Sequence, residues 1–202
     1  MIVLLLHVFC LIFSVIVHEY AHGLMAFFMG DDTAKRAGRL SLNPVVHLDL
    51  VGSFLLPLGA LVLGSPVMIG WAKPVPISMG RFRHPYRDMM WVALVGPLSN
   101  FLMASVAFFS LPFFSFGLGR EILVFFVQLN IVLGCFNLIP IPPLDGSRLL
   151  AFFLPYSGRN FLAKLEPYGL LVVLFLAYMG ILTVILDYTA GSILLYLNSK
   201  IL

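Results

Sequence analysis

His18, Glu19 and His22 occupy one short stretch, H-E-Y-A-H, inside an apolar run near the start of the chain. Two histidines four residues apart on a helix share a face, and a glutamate beside the first is placed to act on whatever they hold. Hydrocarbon is the costliest surrounding for ionisable side chains, so three of them together there mark a functional site by default. The chemistry this pattern suits is that of a catalytic zinc, which takes three protein ligands and leaves a fourth position open. Glu19 lies about 100° from His18 and about 60° from His22 around the helix, near the metal-facing side but not on it. That suits a general base that takes a proton from an attacking water and passes it to a leaving amine.

The third ligand must come from elsewhere in the chain. Cys10 is two turns from His18, and Cys135 sits in the middle of an apolar segment. Of the nine acidic residues, Asp31, Asp32, Asp49 and Asp88 fall in loops, Glu121 and Asp187 at the ends of apolar segments, and Glu166 in a connection. Asp145 differs, because it closes the run I-P-I-P-P-L-D-G from Ile139 to Gly146. Those prolines force an unwound backbone at membrane depth, tolerated only where it lines a buried or aqueous cavity. Broken helices at such depth commonly build ion sites. Asp145 therefore either completes the metal set or caps the short helix that follows Gly146.

The elements that position these residues are those of a membrane protein. The chain is 61% hydrophobic and 10% charged, a composition foreign to a soluble core. Its formal charge of +3 is too mild to argue for a nucleic-acid partner, and the lipid bilayer is the expected surrounding. Both cysteines lie in apolar segments, so no disulfide framework is implied. The start, M-I-V-L-L-L, lacks the positive region of a cleavable leader. With no repeat and no linker, residues 1–202 are expected to form one multi-pass membrane domain.

Residues 2–29 form the first span, with His7, Ser14, His18 and His22 in a stripe of roughly 80° and Cys10 at its edge. His7 reads as a packing residue. Residues 30–50 are polar and turn-rich, with short strands expected around Gly38–Leu42. His47 and Asp49 are candidates there for supporting the metal ligands or gating the site, with a solvated loop the preferred reading. Residues 51–71 are apolar but punctuated by Pro57, Gly59, Gly64, Pro66 and Gly70, and read as a re-entrant segment. Residues 89–116 and 121–139 span, 147–154 resume a helix after the prolines, 155–167 make a polar connection, and 168–187 span again. The expected fold is thus all-α and multi-pass, with about four to six transmembrane helices.

Charge placement supports the re-entrant reading. If 51–71 returns to its own side, one face holds Lys35, Arg36, Arg39, Lys73, Arg81, Arg83, Arg87, Arg148, Arg159 and Lys164, and the other only Arg120 and Lys200. That is the asymmetry of a cytoplasmic face.

Five blocks in order now carry a family resemblance. They are H-E-Y-A-H, G-D-D-T-A-K-R-A-G-R-L-S-L-N-P-V-V-H-L-D, G-W-A-K-P-V-P, G-P-L-S-N and F-N-L-I-P-I-P-P-L-D-G. Together they resemble the site-2 protease family of intramembrane zinc metalloproteases, and within it the short bacterial branch without PDZ or CBS domains. The resemblance implies cleavage of a peptide bond in or beside a transmembrane segment of a membrane-protein substrate. It implies one zinc held by His18, His22 and Asp145, and Glu19 as general base. It points to Asn137, and more weakly Asn100, as substrate-binding groups, and to the bacterial cytoplasmic membrane with the site toward the cytosol. The rival reading is a metal-ion transporter using His18, His22 and Asp145 as ion ligands, which would call for an inverted repeat or further ligands along a path. A di-iron enzyme or haem protein would need more than this chain's five histidines.

Overall fold

The computed structural model describes residues 2–49 and 73–201. The expected re-entrant segment at 51–71 lies outside the described residues. The first helix, α1, runs from Ile2 to Phe28, and a four-residue α2 covers Thr33–Arg36. There follow α3 (Pro85–Ser110), α4 (Leu118–Asn137), α5 (Asp145–Phe153), α6 (Tyr156–Leu165), α7 (Gly169–Tyr178), α8 (Ile181–Leu186) and α9 (Ser192–Ile201). Among the described residues, four helical stretches are long and apolar enough to cross a membrane: Ile2–Phe28, Pro85–Phe113, Leu118–Asn137 and Tyr156–Tyr178. The protein is an all-α, multi-pass membrane protein, as its composition predicts.

The helices α1, α3 and α4 pack into one unit with the chemistry at its centre. Small residues set how closely they approach. Ala104 and Ala107 of α3 meet Val127, Ile131 and Cys135 of α4 and Ala190 beyond it in one buried cluster. A Cβ at Gly134 would stand 2.7 Å from the Phe101 ring, so that glycine lets the ring lie against the α4 backbone. In a bilayer such packing, rather than the hydrophobic effect, holds helices together. Outward faces remain apolar, with Leu4, Leu5, Phe9, Leu102, Val106 and Phe109 exposed, which suits a lipid surrounding and no other. His7 stacks on Phe125 with ring centroids 3.8 Å apart, in keeping with a packing role.

Four expectations need correction. No strand forms at Gly38–Leu42, and none occurs among the described residues. Gly38 takes φ +65°, and the Gly38 and Arg39 N–H groups turn back to Lys35 O and Ala34 O, closing α2 with a left-handed glycine cap. Those donors are then unavailable to a strand ladder. His47 is not solvated but 2% exposed; its Nε2 lies 2.8 Å from Ser41 O, and its own carbonyl accepts the Lys73 N–H at 2.9 Å. The supposed connection 155–167 is helical, and the last apolar run is broken where Gly180 turns with φ +73° between α7 and α8.

Loops at the C-terminal end of α1 are tied by ions. Asp32 pairs with Arg36 at 2.7 Å and with Arg81. Desolvation opposes the ionised form, but the two guanidinium groups prevail and hold the Asp32 carboxyl below its ordinary value. The pairing is complete above the ordinary carboxylate range and is lost as pH falls through the lowered value.

Candidate metal centre

The antiparallel packing of α1 on α3 seats the two histidines on one face of α3. Val92, Gly96 and Asn100 are spaced i, i+4, i+8 and so stack along that face. His22 Nδ1 lies 2.7 Å from Val92 O, and His18 Nδ1 lies 2.6 Å from Asn100 Oδ1. A carbonyl or amide oxygen only accepts, so each Nδ1 carries the proton and donates it. Each Nε2 is thereby left with a lone pair. Between them, Gly96 lets both rings lie against the α3 backbone: a Cβ there would stand 2.3 Å from His22 Cε1 and 2.8 Å from His18 Cε1.

Asp145 comes from a separate element, as the first residue of α5, which also packs against α3. The α4 helix ends at Asn137, and the proline-rich turn that follows contains a cis Pro142–Pro143 bond. Gly146 then packs directly on that turn, where a Cβ would stand 2.2 Å from Leu138 O. Contact of backbone on backbone fixes the start of α5, and with it the carboxylate. Asp145 Oδ2 lies 3.2 Å from His18 Nε2 and 3.1 Å from His22 Nε2.

The two Nε2 atoms are themselves 2.9 Å apart. With both Nδ1 atoms protonated, that places two lone pairs and a carboxylate oxygen face to face, an arrangement that needs a shared cation. Two imidazole nitrogens and one carboxylate oxygen are a zinc donor set. In a tetrahedral zinc site neighbouring ligand atoms stand about 3.3 Å apart, close to the separations here. The three side chains are buried and meet as one cluster of possible ligand atoms. The residues fit the metal.

Glu19 shares a partly open cavity of about 900 Å³ with His18, His22, Asp145 and Asn137. Its Oε2 accepts the Val75 N–H at 2.8 Å. Val75 lies between Pro74 and Pro76, which have no N–H, so this is the lone backbone donor of the tripeptide. Arg39 secures the segment, donating to Lys73 O at 2.6 Å and Pro74 O at 3.2 Å. Asn137 lines the cavity while its Nδ2 donates to Leu133 O one turn back. Asn100 is fully buried, with its oxygen toward His18 and its Nδ2 donating to Asn130 Oδ1 at 2.9 Å. The sequence places Ser14 in the polar stripe, Arg39 among the basic loop residues and Gly96 in G-P-L-S-N, but assigns none of them, nor Asn130 or Val92, a role at the site. A glycine and an asparagine four apart in an apolar helix were the available signal.

Comparison with known proteins agrees with this geometry. Residues 116–180 match the model of Peptidase family M50. The chain is 40% identical over 186 residues to a Bacillus subtilis protein named "Putative zinc metalloprotease YwhC", covering 86% of this chain and 81% of that one. It is 30% identical over 169 residues to "Putative zinc metalloprotease Rip2" of Mycolicibacterium smegmatis, covering 81% of this chain and 62% of the relative. No solved structure gives a significant match. A zinc donor set buried among membrane-crossing helices and a relative matched along most of both chains lead to one conclusion: the chain belongs to peptidase family M50, the site-2 proteases, and is an intramembrane zinc metalloprotease.

Proposed function

We propose that the protein cleaves a peptide bond in or beside a transmembrane segment of a membrane-protein substrate, with His18, His22 and Asp145 holding one zinc and Glu19 as general base. The observation that carries this reading is the convergence of the three donor atoms, with both imidazole Nδ1 protons already committed to oxygen acceptors. Zinc at such a site supplies Lewis acidity, polarising a carbonyl and making water nucleophilic near neutral pH. Glu19 Oε2 is held by the Val75 N–H, which leaves Oε1 to accept a proton from the attacking water. The same carboxyl then returns that proton to the leaving amide nitrogen, so the base ends as it began. Asn137, on the cavity wall, is placed to orient the substrate backbone.

The site sits toward the cytosolic side of a bacterial cytoplasmic membrane in this reading, and residues 1–202 act as one domain. His18 and His22 lie about 15 Å and 9 Å from the C-terminal end of α1, at about 1.5 Å per residue. At that end the Asp32–Arg81 pair and the Arg39 contacts gather the basic loops, whereas Arg120 stands at the start of α4, beside Leu111 and Phe114. The gathered basic side is the one expected to face the cytosol.

The test is cleavage of a transmembrane peptide by the purified protein in detergent. Activity should disappear with a chelator and return with zinc. Asp145→Asn should lower both zinc stoichiometry and activity, because an amide oxygen is a far weaker ligand than a carboxylate. Full zinc content in Asp145→Asn would remove Asp145 from the ligand set.

A further inference from the structure

We propose that Asn130 and Ser14, acting through Asn100, are positioning residues that fix which nitrogen His18 offers to the metal; this rests on the reading of His18 as a ligand. The three side chains are fully buried and link α1, α3 and α4 in a single file of hydrogen bonds. Ser14 Oγ donates to Cys10 O at 2.8 Å. Asn130 Nδ2 donates to Ser14 Oγ and to Phe126 O, each at 2.9 Å. Asn100 Nδ2 donates to Asn130 Oδ1 at 2.9 Å, and Asn100 Oδ1 accepts from His18 Nδ1 at 2.6 Å.

Each link forces the next. The Cys10 carbonyl only accepts, so the single Ser14 proton is spent on it and Ser14 Oγ turns a lone pair toward Asn130. Asn130 must then point its NH₂ at Ser14 and at the second carbonyl, Phe126 O, and its oxygen at Asn100. Asn100 in turn points NH₂ at Asn130 and oxygen at His18. His18 therefore keeps its proton on Nδ1 and leaves Nε2 bare. Two backbone carbonyls of α1 and α4 thus set a tautomer at the metal through three side chains.

The residue types suit that task. A flipped Asn100 would present N–H groups to His18 Nδ1, favouring the tautomer with its proton on Nε2, where the metal should bind. Nothing in Asn100 alone forbids the flip, since its oxygen and nitrogen ends are the same size. Asn130 forbids it. A carboxylate at position 100 would also accept from Nδ1, but at the cost of a second buried charge in an apolar bundle. Neutral amides deliver direction without charge. Fully satisfied buried networks of this kind specify one arrangement, whereas partly satisfied ones do not.

The experiment measures the zinc dissociation constant of the full-length protein in detergent by competition with a chelator of known affinity. Asn130→Leu should weaken zinc by up to about 10–100-fold, the effect of losing a ligand's supporting hydrogen bond, because Asn100 is then free to flip its oxygen away from His18. Ser14→Ala should weaken it in the same direction, and Ser14→Thr, which keeps the hydroxyl, should restore it. Val127→Ala, equally buried on the same helix, should lower thermal stability and leave the zinc constant unchanged. Unchanged zinc affinity in both Asn130→Leu and Ser14→Ala would overturn the proposal, as would an equal loss in Val127→Ala. His18→Ala separates the two levels: if it keeps full zinc affinity, the ligand reading itself has failed.

Discussion

Gly96→Ala should strip the protein of its zinc and lower proteolysis by on the order of 100-fold or more. The added methyl carbon would stand 2.3 Å from His22 Cε1, 2.4 Å from His22 Nε2 and 2.8 Å from His18 Cε1. Non-bonded carbon atoms rest at about 3.5–4.0 Å, so the rings would have to retreat by about 1 Å. They have little freedom to do so, because each Nδ1 is tethered to α3 itself, through Val92 O and Asn100 Oδ1. The retreat would shift both Nε2 atoms relative to Asp145 or break those tethers. Misplacement of about 1 Å at a reacting centre is enough for a 100-fold loss. Zinc per chain by elemental mass spectrometry, alongside single-turnover cleavage, provides the measurement. Gly80→Ala serves as the control, since nothing lies within 4 Å of a Cβ there. Full zinc content in Gly96→Ala would mean that the histidines do not depend on this seat.

That seat also marks what the sequence could and could not convey. The spacing of His18 and His22 predicts a shared helix face, and the three prolines before Asp145 predict broken backbone that either presents a ligand or starts a capped helix. The structure brings all three together. That convergence is legible because each element rests on local geometry, helix periodicity in one case and proline sterics in the other. Of the expectations that failed, the strand at Gly38–Leu42 gave way to a local glycine cap, and others depended on partners distant in sequence. Within that stretch the Arg39 side chain is drawn to carbonyls 34 and 35 residues away. His47 reads as a loop residue, yet its carbonyl receives the Lys73 N–H and the ring is buried. Likewise Gly96 has an ordinary helical backbone, and only the rings pressed against it explain why it is glycine. Asn130 looked like one polar group among several in its helix, because its meaning resides in Asn100 and Ser14, on two other helices.

Glu19→Gln should abolish cleavage and leave zinc binding intact. The glutamine keeps the length and shape of the side chain, and its carbonyl oxygen can still accept the Val75 N–H that now meets Oε2. The wall of the cavity and the three converging donor atoms are therefore expected to stay in place. What disappears is a group able to take a proton from water and surrender it to the leaving nitrogen. A positioned general base contributes about 10²–10⁴-fold, and here one carboxyl serves both proton transfers, so the loss should fall at the upper end of that range. The paired readout is zinc stoichiometry and single-turnover cleavage of a transmembrane peptide. It also separates two chemistries that share one donor set. In a site that merely passes ions, Glu19 would matter through its charge, and the variant would shift metal affinity without any peptide bond being cut in the parent. In a hydrolase the variant is a zinc-loaded protein that still binds its substrate and turns it over negligibly. Wild-type cleavage rates in zinc-replete Glu19→Gln would defeat the general-base assignment, and the proton acceptor would then have to be sought elsewhere along the same cavity.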